Sequence, residues 1–434
     1  MRPNPILFFG VVTALAVAIH LYLWWRLVRS TARSRRNRRI GAAVIGGLGA
    51  FGLVGLLVTR TVGVDTRWLA WIGYGWIAVM FYLLLTLLVL EIPRGAYALW
   101  LRRTAATAPD GTQQHSTQEQ QDSAPATAAA HGGPVVTAPA RTRPRPTAEE
   151  PGDAPDPGRR LFIARACALA ACGVAAGAVG AGMRTAFGDL RTVRVTTPIT
   201  GLDPRLAGFR IAAVSDTHFG PFMREPLAER IVTAINREQV DMVVVLGDLA
   251  DGSVEEVGYA AEPMRRFESR KGTFFVTGNH DYSSGVDPWV ERVRELGMRP
   301  LLNERVEITS GGAAFDLAGV NDLFATMYDK QGPDFAAALN GRDPARALVL
   351  LAHQPVQVHE AVKYGVDLQL SGHTHGGQTV PFDRIAGLQQ PVLAGLARRG
   401  DTSLFVTRGA GFFGPPIRAG IPPEVAIVQL QPRG

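Results

Sequence analysis

The stretch Gly372-His373-Thr374-His375-Gly376-Gly377-Gln378 carries the most information about this chain. Two imidazoles one residue apart project to the same side of an extended backbone, and that spacing suits metal binding. Four further polar segments precede it in the C-terminal region: Ser215-Asp216-Thr217-His218, Gly247-Asp248-Leu249-Ala250-Asp251, Gly278-Asn279-His280-Asp281 and Ala352-His353-Gln354-Pro355. Together the five segments predict a metal centre.

These segments follow short apolar runs bounded by polar residues or glycine, a pattern typical of buried strands. The predicted strands are Phe209–Val214, Met242–Leu246, Thr273–Thr277, Ala347–Leu351, Leu368–Leu370 and Ser403–Val406. An amphipathic pattern over Pro226–Gln239 predicts a helix. Because loops at one edge of a sheet commonly deliver functional side chains, the motif residues are expected to converge.

On these five segments, residues 205–430 resemble the calcineurin-like metallophosphoesterases. The segments match that superfamily's Asp-x-His, Gly-Asp-x-x-Asp, Gly-Asn-His-Asp/Glu, His and Gly-His-x-His motifs in order. The resemblance implies an α/β fold, a four-layer α/β/β/α sandwich, over residues 193–434. The ending from Arg408 to Glu424 further resembles a membrane-anchored bacterial branch that acts on phosphodiesters or lipid-linked pyrophosphates.

The resemblance also implies two divalent metal ions that share one carboxylate, Asp248. One ion would be held by Asp216, His218, Asp248 and His375, and the other by Asp248, Asn279, His353 and His373. Carboxylate and imidazole ligands suit Mn²⁺, Fe or Zn²⁺. Such a pair of ions would generate a metal-bridging hydroxide that attacks the phosphorus.

The family analogy makes His280 the general acid for the leaving group and makes Asp251 the carboxylate that orients its ring and raises its pKa. The alternative for Asp251 is a turn residue before Gly252. Phosphoprotein phosphatases of the superfamily carry an arginine after this second aspartate, where Gly252 stands here. The absence of this arginine favours a phosphodiester or pyrophosphate substrate over a phosphoprotein.

Two other features allow two interpretations each. Arg418 could contact a substrate phosphate or form a salt bridge with Glu424 or another local acid. The segment Gly319-Val320-Asn321-Asp322 could shape the pocket rim or form an ordinary turn.

The net positive charge of the chain comes from its N-terminal part. Residues 1–200 carry 22 basic and 10 acidic side chains, whereas residues 201–434 carry 23 and 28. Because the basic excess falls among apolar segments, we expect no nucleic acid partner. The two cysteines, Cys167 and Cys172, lie in an apolar segment and predict neither a disulfide framework nor a cysteine-zinc site.

Three apolar stretches, Ile6–Trp25, Ile40–Thr59 and Trp68–Leu90, are each about 20 residues long and predict a three-helix transmembrane region over residues 1–104. Glycines at positions 46, 49, 52 and 55 predict a close helix contact. His20 within the first stretch fits a packed polar residue or a proton relay. Seven arginines between positions 26 and 39 place that loop in the cytoplasm.

Residues 105–158 are rich in Ala, Thr, Pro, Gln and Gly and predict a disordered cytoplasmic linker. A fourth apolar stretch within 159–185 follows Arg159-Arg160 and resembles a twin-arginine export signal, although its trailing Arg165 comes one position late. It is either a fourth transmembrane helix or such a signal. In both cases the C-terminal domain is expected outside the cytoplasm.

The sequence therefore predicts a multi-pass cell-membrane phosphoesterase. Its expected partners are membrane lipids and a phosphodiester or lipid-linked pyrophosphate substrate. Two alternatives stay open: a broad-specificity phosphodiesterase for soluble nucleotides, and a non-catalytic metal-binding sensor or scaffold.

Overall fold

A computed structural model describes residues 5–58, 67–106 and 157–433. Most of the predicted linker therefore lies outside the described residues. Its ends are helical, because the third helix continues to Ala106 and the fourth begins at Pro157.

Four long helices form the N-terminal part: α1 (Pro5–Leu23), α2 (Arg35–Val58), α3 (Arg67–Ala106) and α4 (Pro157–Phe187). A π-helical turn, Trp24–Arg29, continues α1. Within the described residues, Gly10–Arg29, Arg67–Tyr97 and Gly158–Phe187 are long and apolar enough to cross a membrane. All four predicted apolar segments are helical over their described residues, and a membrane crossing by α2 stays a prediction.

Side chains between these helices pair within the bundle. The Nε1 of Trp76 donates to the Nε2 of His20 at 3.1 Å, and the Nδ1 of His20 lies 2.7 Å from the carbonyl oxygen of Ala16. Both ring nitrogens therefore have partners, as the packed-residue interpretation predicts. A Cβ on Gly49 would lie 2.7 Å from the His20 ring, so this glycine allows the predicted close approach.

The C-terminal part contains two six-stranded sheets. The first has the order β1-β12-β2-β3-β4-β5 and the second β10-β11-β9-β8-β7-β6. The strands are β1 (Arg191–Ile199), β2 (Arg210–Val214), β3 (Met242–Val245), β4 (Thr273–Phe275), β5 (Met298–Pro300), β6 (Glu304–Ser310), β7 (Ala313–Gly319), β8 (Leu348–Leu351), β9 (Leu368–Ser371), β10 (Gly395–Arg399), β11 (Thr402–Val406) and β12 (Glu424–Pro432). Strands β2 to β5 run parallel, as do β7, β8, β9 and β11.

Seven shorter helices cover or connect the sheets: α5 (Glu225–Asn236), α6 (Val254–Val257), α7 (Asn279–Ser283), α8 (Val286–Glu295), α9 (Phe335–Leu339), α10 (Val358–Ala361) and α11 (Phe382–Ala386). All six predicted strands and the predicted helix occur, with ends that coincide or differ by at most three residues.

Strand alternation builds the layers, because successive side chains point to opposite faces of a sheet. In β2, Ile211 and Ala213 pack between the two sheets, while Ala212 and Val214 face α5 and α8. On the far side, the outer face of the second sheet packs against α9 and α10. The order is helix, sheet, sheet, helix, which confirms the predicted four-layer α/β/β/α sandwich.

Candidate metal centre

The predicted ligands lie at the carboxyl ends of neighbouring parallel strands in both sheets. Asp216 and His218 follow β2, Asp248 follows β3 and Asn279 follows β4, all in the first sheet. In the second sheet, His353 follows β8, and His373 and His375 follow β9. The site therefore lies where the ends of the two sheets meet.

Five of these residues adopt left-handed backbone conformations, with φ of 56° for Asp216, 47° for His218, 53° for Asp248, 71° for His373 and 52° for His375. Non-glycine residues rarely adopt positive φ, and such strain concentrates at functional sites. The prediction that His373 and His375 lie on an extended backbone is therefore wrong. The chain turns at both residues, and the two imidazoles therefore point towards two different groups of side chains.

The first cluster consists of Asp216, His218 and His375, whose ligand atoms lie within 4.8 Å of one another. The Nε2 atoms of His218 and His375 are 3.0 Å apart, and Asp216 Oδ1 is 3.5 Å from His375 Nε2. All three residues are buried. Two imidazoles and one carboxylate facing each other are a suitable donor set for a transition metal.

The second cluster consists of Asp248, His353 and His373. The Oδ2 atom of Asp248 lies 3.2 Å from His353 Nε2 and 3.8 Å from His218 Nε2. Asp248 therefore stands between the two clusters, where the resemblance places a shared ligand. His353 Nδ1 donates to the carbonyl oxygen of Leu246 at 2.7 Å, an orientation that leaves Nε2 facing the cluster.

Two buried atoms show that these residues fit a cation. Within the described part of the chain, Asn279 Oδ1 has no hydrogen-bond partner, although buried polar atoms are nearly always satisfied, and His353 Nε2 faces the Asp248 carboxylate at 3.2 Å. Burial alone would lower the pKa of His353, but the carboxylates of Asp248 and Asp216 raise it to about 10. A proton thus occupies the position that a metal ion would take, and ion binding is expected to displace it.

Asp251 and His280 form a hydrogen-bonded pair beside the clusters. The Nδ1 of His280 lies 2.6 Å from Asp251 Oδ1, and the Nδ1 of His218 lies 3.0 Å from the same oxygen. Asp251 thus contacts a predicted metal ligand and the predicted acid at once, and does more than terminate a turn. Burial lowers the pKa of His280, but Asp251 and Asp248 overcome this and raise it to about 9.

Arg418 contacts neither a carboxylate nor the pocket, so both sequence interpretations of it are wrong. Its side chain is fully buried, and among the described residues no carboxylate oxygen lies within salt-bridge distance. Glu424 pairs instead with Arg408 at 3.1 Å. The Arg418 guanidinium donates to the carbonyl oxygens of Gly411 at 2.7 Å and Arg408 at 2.8 Å, and to His375 Nδ1 at 3.1 Å.

Arg418 also links the candidate metal centre to the N-terminal helices. Its backbone N–H donates to the carbonyl oxygen of Gly182 in α4 at 2.9 Å. A Cβ on Gly182 would lie 3.0 Å from the Cβ of Ile417, so a glycine here lets the loop approach the helix closely.

The carboxylates of Asp281 and Asp322 accept hydrogen bonds from groups that carry or adjoin the predicted ligands. The Asp281 carboxylate accepts from the backbone N–H groups of Asp248 at 3.0 Å, Leu249 at 2.8 Å and Gly278 at 2.7 Å. Asp322 is buried and accepts from the Nε2 of Gln354, next to His353, at 2.9 and 3.0 Å. The segment containing Asp322 therefore braces the His353 loop, and its Asn321 lines a separate cavity of about 370 Å³.

A cavity of about 220 Å³ opens beside the metal centre. His218, Asp251 and His280 form its polar wall. Its apolar wall includes Phe222, Phe412 and Phe413, together with Tyr74 from α3. The cavity is thus bounded by the sandwich on one side and by a candidate membrane span on the other.

Comparison with known proteins places this architecture in a family. Residues 209–377 match the family model described as calcineurin-like phosphoesterase. The chain is 38% identical over 239 residues to a metallophosphoesterase of Helicobacter pylori strain J99, covering 55% of this chain and 63% of that protein. It is 36% identical over 250 residues to the Danio rerio transmembrane protein with metallophosphoesterase domain, covering 56% of this chain and 57% of that protein.

The chain thus spans less than two thirds of the length of these two relatives. A metallophosphoesterase of Aquifex aeolicus is matched over 88% of its length, at 35% identity over 241 residues and 53% of this chain. With the five motifs gathered where the ends of the two sheets meet, the chain belongs to the calcineurin-like metallophosphoesterase family.

Proposed function

We propose that the chain is a membrane-anchored dimetal phosphoesterase that hydrolyses a phosphodiester or pyrophosphate bond in a lipid-linked substrate. The observation that carries this proposal is the shared cavity. Tyr74 lies seven residues into the candidate span Arg67–Tyr97 and lines the same pocket as His280 and Asp251. A phosphate group in that pocket would have the membrane helices beside it.

The two clusters, with Asn279, would supply the ligands of the two ions. Asp216, His218 and His375 would hold one and Asn279, His353 and His373 the other, with Asp248 between them. When bound, such ions supply an activated water and stabilise negative charge on the phosphoryl oxygens. Of the chain's own groups, His280 lies on the cavity wall, holds a proton on its ring at neutral pH and can donate it to the leaving oxygen.

The aromatic rim provides an apolar surface for the substrate. The ring of Phe222 lies 4.9 Å from that of Trp71 and 5.8 Å from those of Tyr74 and Phe412. Burial of acyl chains against such rings favours binding by roughly 25 cal/mol per Å². A soluble nucleotide has no acyl chain to bury against this surface.

The full-length chain in lipid nanodiscs with Mn²⁺ tests the proposed substrate class. CDP-diacylglycerol and CDP-glycerol contain the same pyrophosphate bond with and without acyl chains. We expect Tyr74→Ala to lower kcat/KM for CDP-diacylglycerol about tenfold, or ~1.4 kcal/mol, and to leave CDP-glycerol turnover unchanged.

Trp68→Ala is the matched control, because Trp68 lies on the same helix but does not line the cavity. Faster turnover of CDP-glycerol than of CDP-diacylglycerol would favour the soluble-nucleotide alternative. Absence of metal-dependent turnover with either compound and with bis(p-nitrophenyl) phosphate would favour the sensor alternative.

We also propose that the sandwich lies outside the cytoplasm. At the start of α4, the Nε of Arg165 donates to the carbonyl oxygen of Thr31 in the arginine-rich loop at 3.2 Å. At the other end, Phe187 contacts Phe412 of the sandwich with ring centres 5.4 Å apart. These ends are 22 residues apart, about 33 Å along a helix, which is close to the thickness of the hydrocarbon core.

Labelling of an introduced cysteine tests this topology. In a Cys167→Ala, Cys172→Ala background, Ser310→Cys is expected to react with a membrane-impermeant maleimide in intact cells. Labelling only after permeabilisation would place the sandwich in the cytoplasm and contradict the proposal.

A further inference from the structure

The loop that follows the metal-binding motif exposes an unusual number of large apolar side chains. It runs from Val380 to Leu388 and contains α11. Val380, Phe382, Ile385 and Leu388 are 49%, 46%, 57% and 84% exposed. Exposed apolar patches of this kind mark surfaces that contact a partner or a membrane.

This loop lies against the middle of α3. The hydroxyl of Tyr82 donates to the carbonyl oxygen of Val380 at 3.1 Å, and the rings of Phe81 and Phe382 are 6.4 Å apart. Residues 68–90 of α3 contain no charged side chain and extend about 34 Å, slightly more than the hydrocarbon core of a bilayer. Tyr82 lies well inside this run, so atoms that touch it lie at hydrocarbon depth.

The backbone of the loop can tolerate such surroundings, where polar groups must be satisfied internally. Three backbone N–H groups of the loop donate to backbone carbonyl oxygens at 3.0 to 3.1 Å. The pairs are Val380 with Ala419, Asp383 with Thr379 and Leu388 with Ile385. Pro381 has no N–H to satisfy.

The loop and the residues after it carry few charges. Between positions 379 and 397 only Asp383 and Arg384 are charged, and the Nε of Arg384 lies 3.9 Å from Asp383 Oδ2. The Arg384 side chain is 87% exposed, and its long aliphatic stem can lie in an apolar layer.

We propose that the Val380–Leu388 loop is inserted into the lipid bilayer beside α3 and that its apolar side chains contact phospholipid acyl chains. This inference requires that α3 spans the membrane but does not require catalytic activity. The contact with Tyr82 favours a bilayer over a protein partner, because it continues the lipid-facing surface of a candidate span.

Insertion would also hold the metal centre at the membrane surface. The hydroxyl of Thr374, between His373 and His375, donates to the carbonyl oxygen of Leu393 at 2.6 Å, just beyond the loop. The metal-binding turn and the inserted loop are thus parts of one continuous structure.

Fluorescence quenching by lipids tests the insertion. The full chain carrying Cys167→Ala and Cys172→Ala is labelled with the fluorophore NBD at Leu388→Cys or, separately, Ile385→Cys, and reconstituted in phosphatidylcholine vesicles. With doxyl-labelled phosphatidylcholine we expect at least about threefold stronger quenching at either position than at Met327→Cys, and a blue-shifted emission.

Met327 is a matched control, because it is an apolar side chain of the same sandwich that is 67% exposed. Leu88→Cys in α3 serves as the positive control. Quenching at positions 385 and 388 no stronger than at 327 would show that the loop lies in water and overturn the proposal. Protection from both doxyl lipid and aqueous iodide would show a covering protein and would also overturn it.

Discussion

Asp248→Asn is expected to lower kcat for bis(p-nitrophenyl) phosphate by on the order of 10³-fold, or ~4 kcal/mol of transition-state stabilisation. The reason is the central position of this carboxylate. One oxygen accepts from the backbone N–H of His280 at 2.8 Å, while the other lies 3.2 Å from His353 and 3.8 Å from His218. A neutral amide of the same shape removes a charge from both clusters at once.

Unfolding measurements separate this loss from misfolding. Burial and the charge of Asp248 raise the pKa of both Asp216 and Asp281, the latter to about 7, so the metal-free site contains carboxylates that repel one another. Removing one of these charges should leave the Tm of the metal-free chain unchanged or higher. Asp316→Asn, at a buried carboxylate in β7, serves as the control and should retain activity. A folded Asp248→Asn chain with full activity would refute the assignment.

His280→Gln is expected to lower kcat by about 10²- to 10⁴-fold for substrates with poor leaving groups and far less for those with good ones. A p-nitrophenolate departs without protonation, whereas a basic alkoxide needs a proton from His280. The measurement is a series of substituted phenyl phosphodiesters of increasing leaving-group pKa. The variant should show a steeper fall in rate along the series than the wild type, and equal slopes would exclude an acid role for His280.

The pH dependence of the rate tests the role of the His280–Asp251 pair in a second way. Because Asp251 and Asp248 raise the pKa of His280 to about 9, the ring carries its proton below that pH and loses it above. The wild-type rate on poor leaving groups should therefore fall as pH rises through about 9. Asp251→Asn removes the carboxylate 2.6 Å from the ring, so the fall should begin at a lower pH.

Local patterns in the sequence predicted the strands that carry the motifs. The runs before Asp216, Asp248 and His353 are short and apolar, and each is a buried parallel strand. The position of β12 could not be predicted in this way. It enters the first sheet between β1 and β2, pairing in parallel with one and antiparallel with the other, and such contacts between distant segments leave no local periodicity.

In the candidate metal centre, too, features that depend on local sequence could be predicted, whereas contacts between distant segments could not. The expected ligand set came from the family resemblance of the motifs, but the left-handed turns at His373 and His375 could not be predicted, because histidine does not signal positive φ as glycine does. Arg418 was misassigned because its acceptors are backbone carbonyls and His375 Nδ1, contacts that only the folded chain creates. Tyr74 was missed because its place on the cavity wall depends on how α3 meets the sandwich.

Titration of the metal-free, full-length chain with Mn²⁺, followed by the initial rate of bis(p-nitrophenyl) phosphate hydrolysis, tests the two-metal centre most directly. The two clusters that meet at Asp248 predict a rate that rises until about two equivalents of Mn²⁺ per chain are bound and then stays constant. A rate that saturates at one equivalent, or no turnover with both equivalents bound, would contradict it.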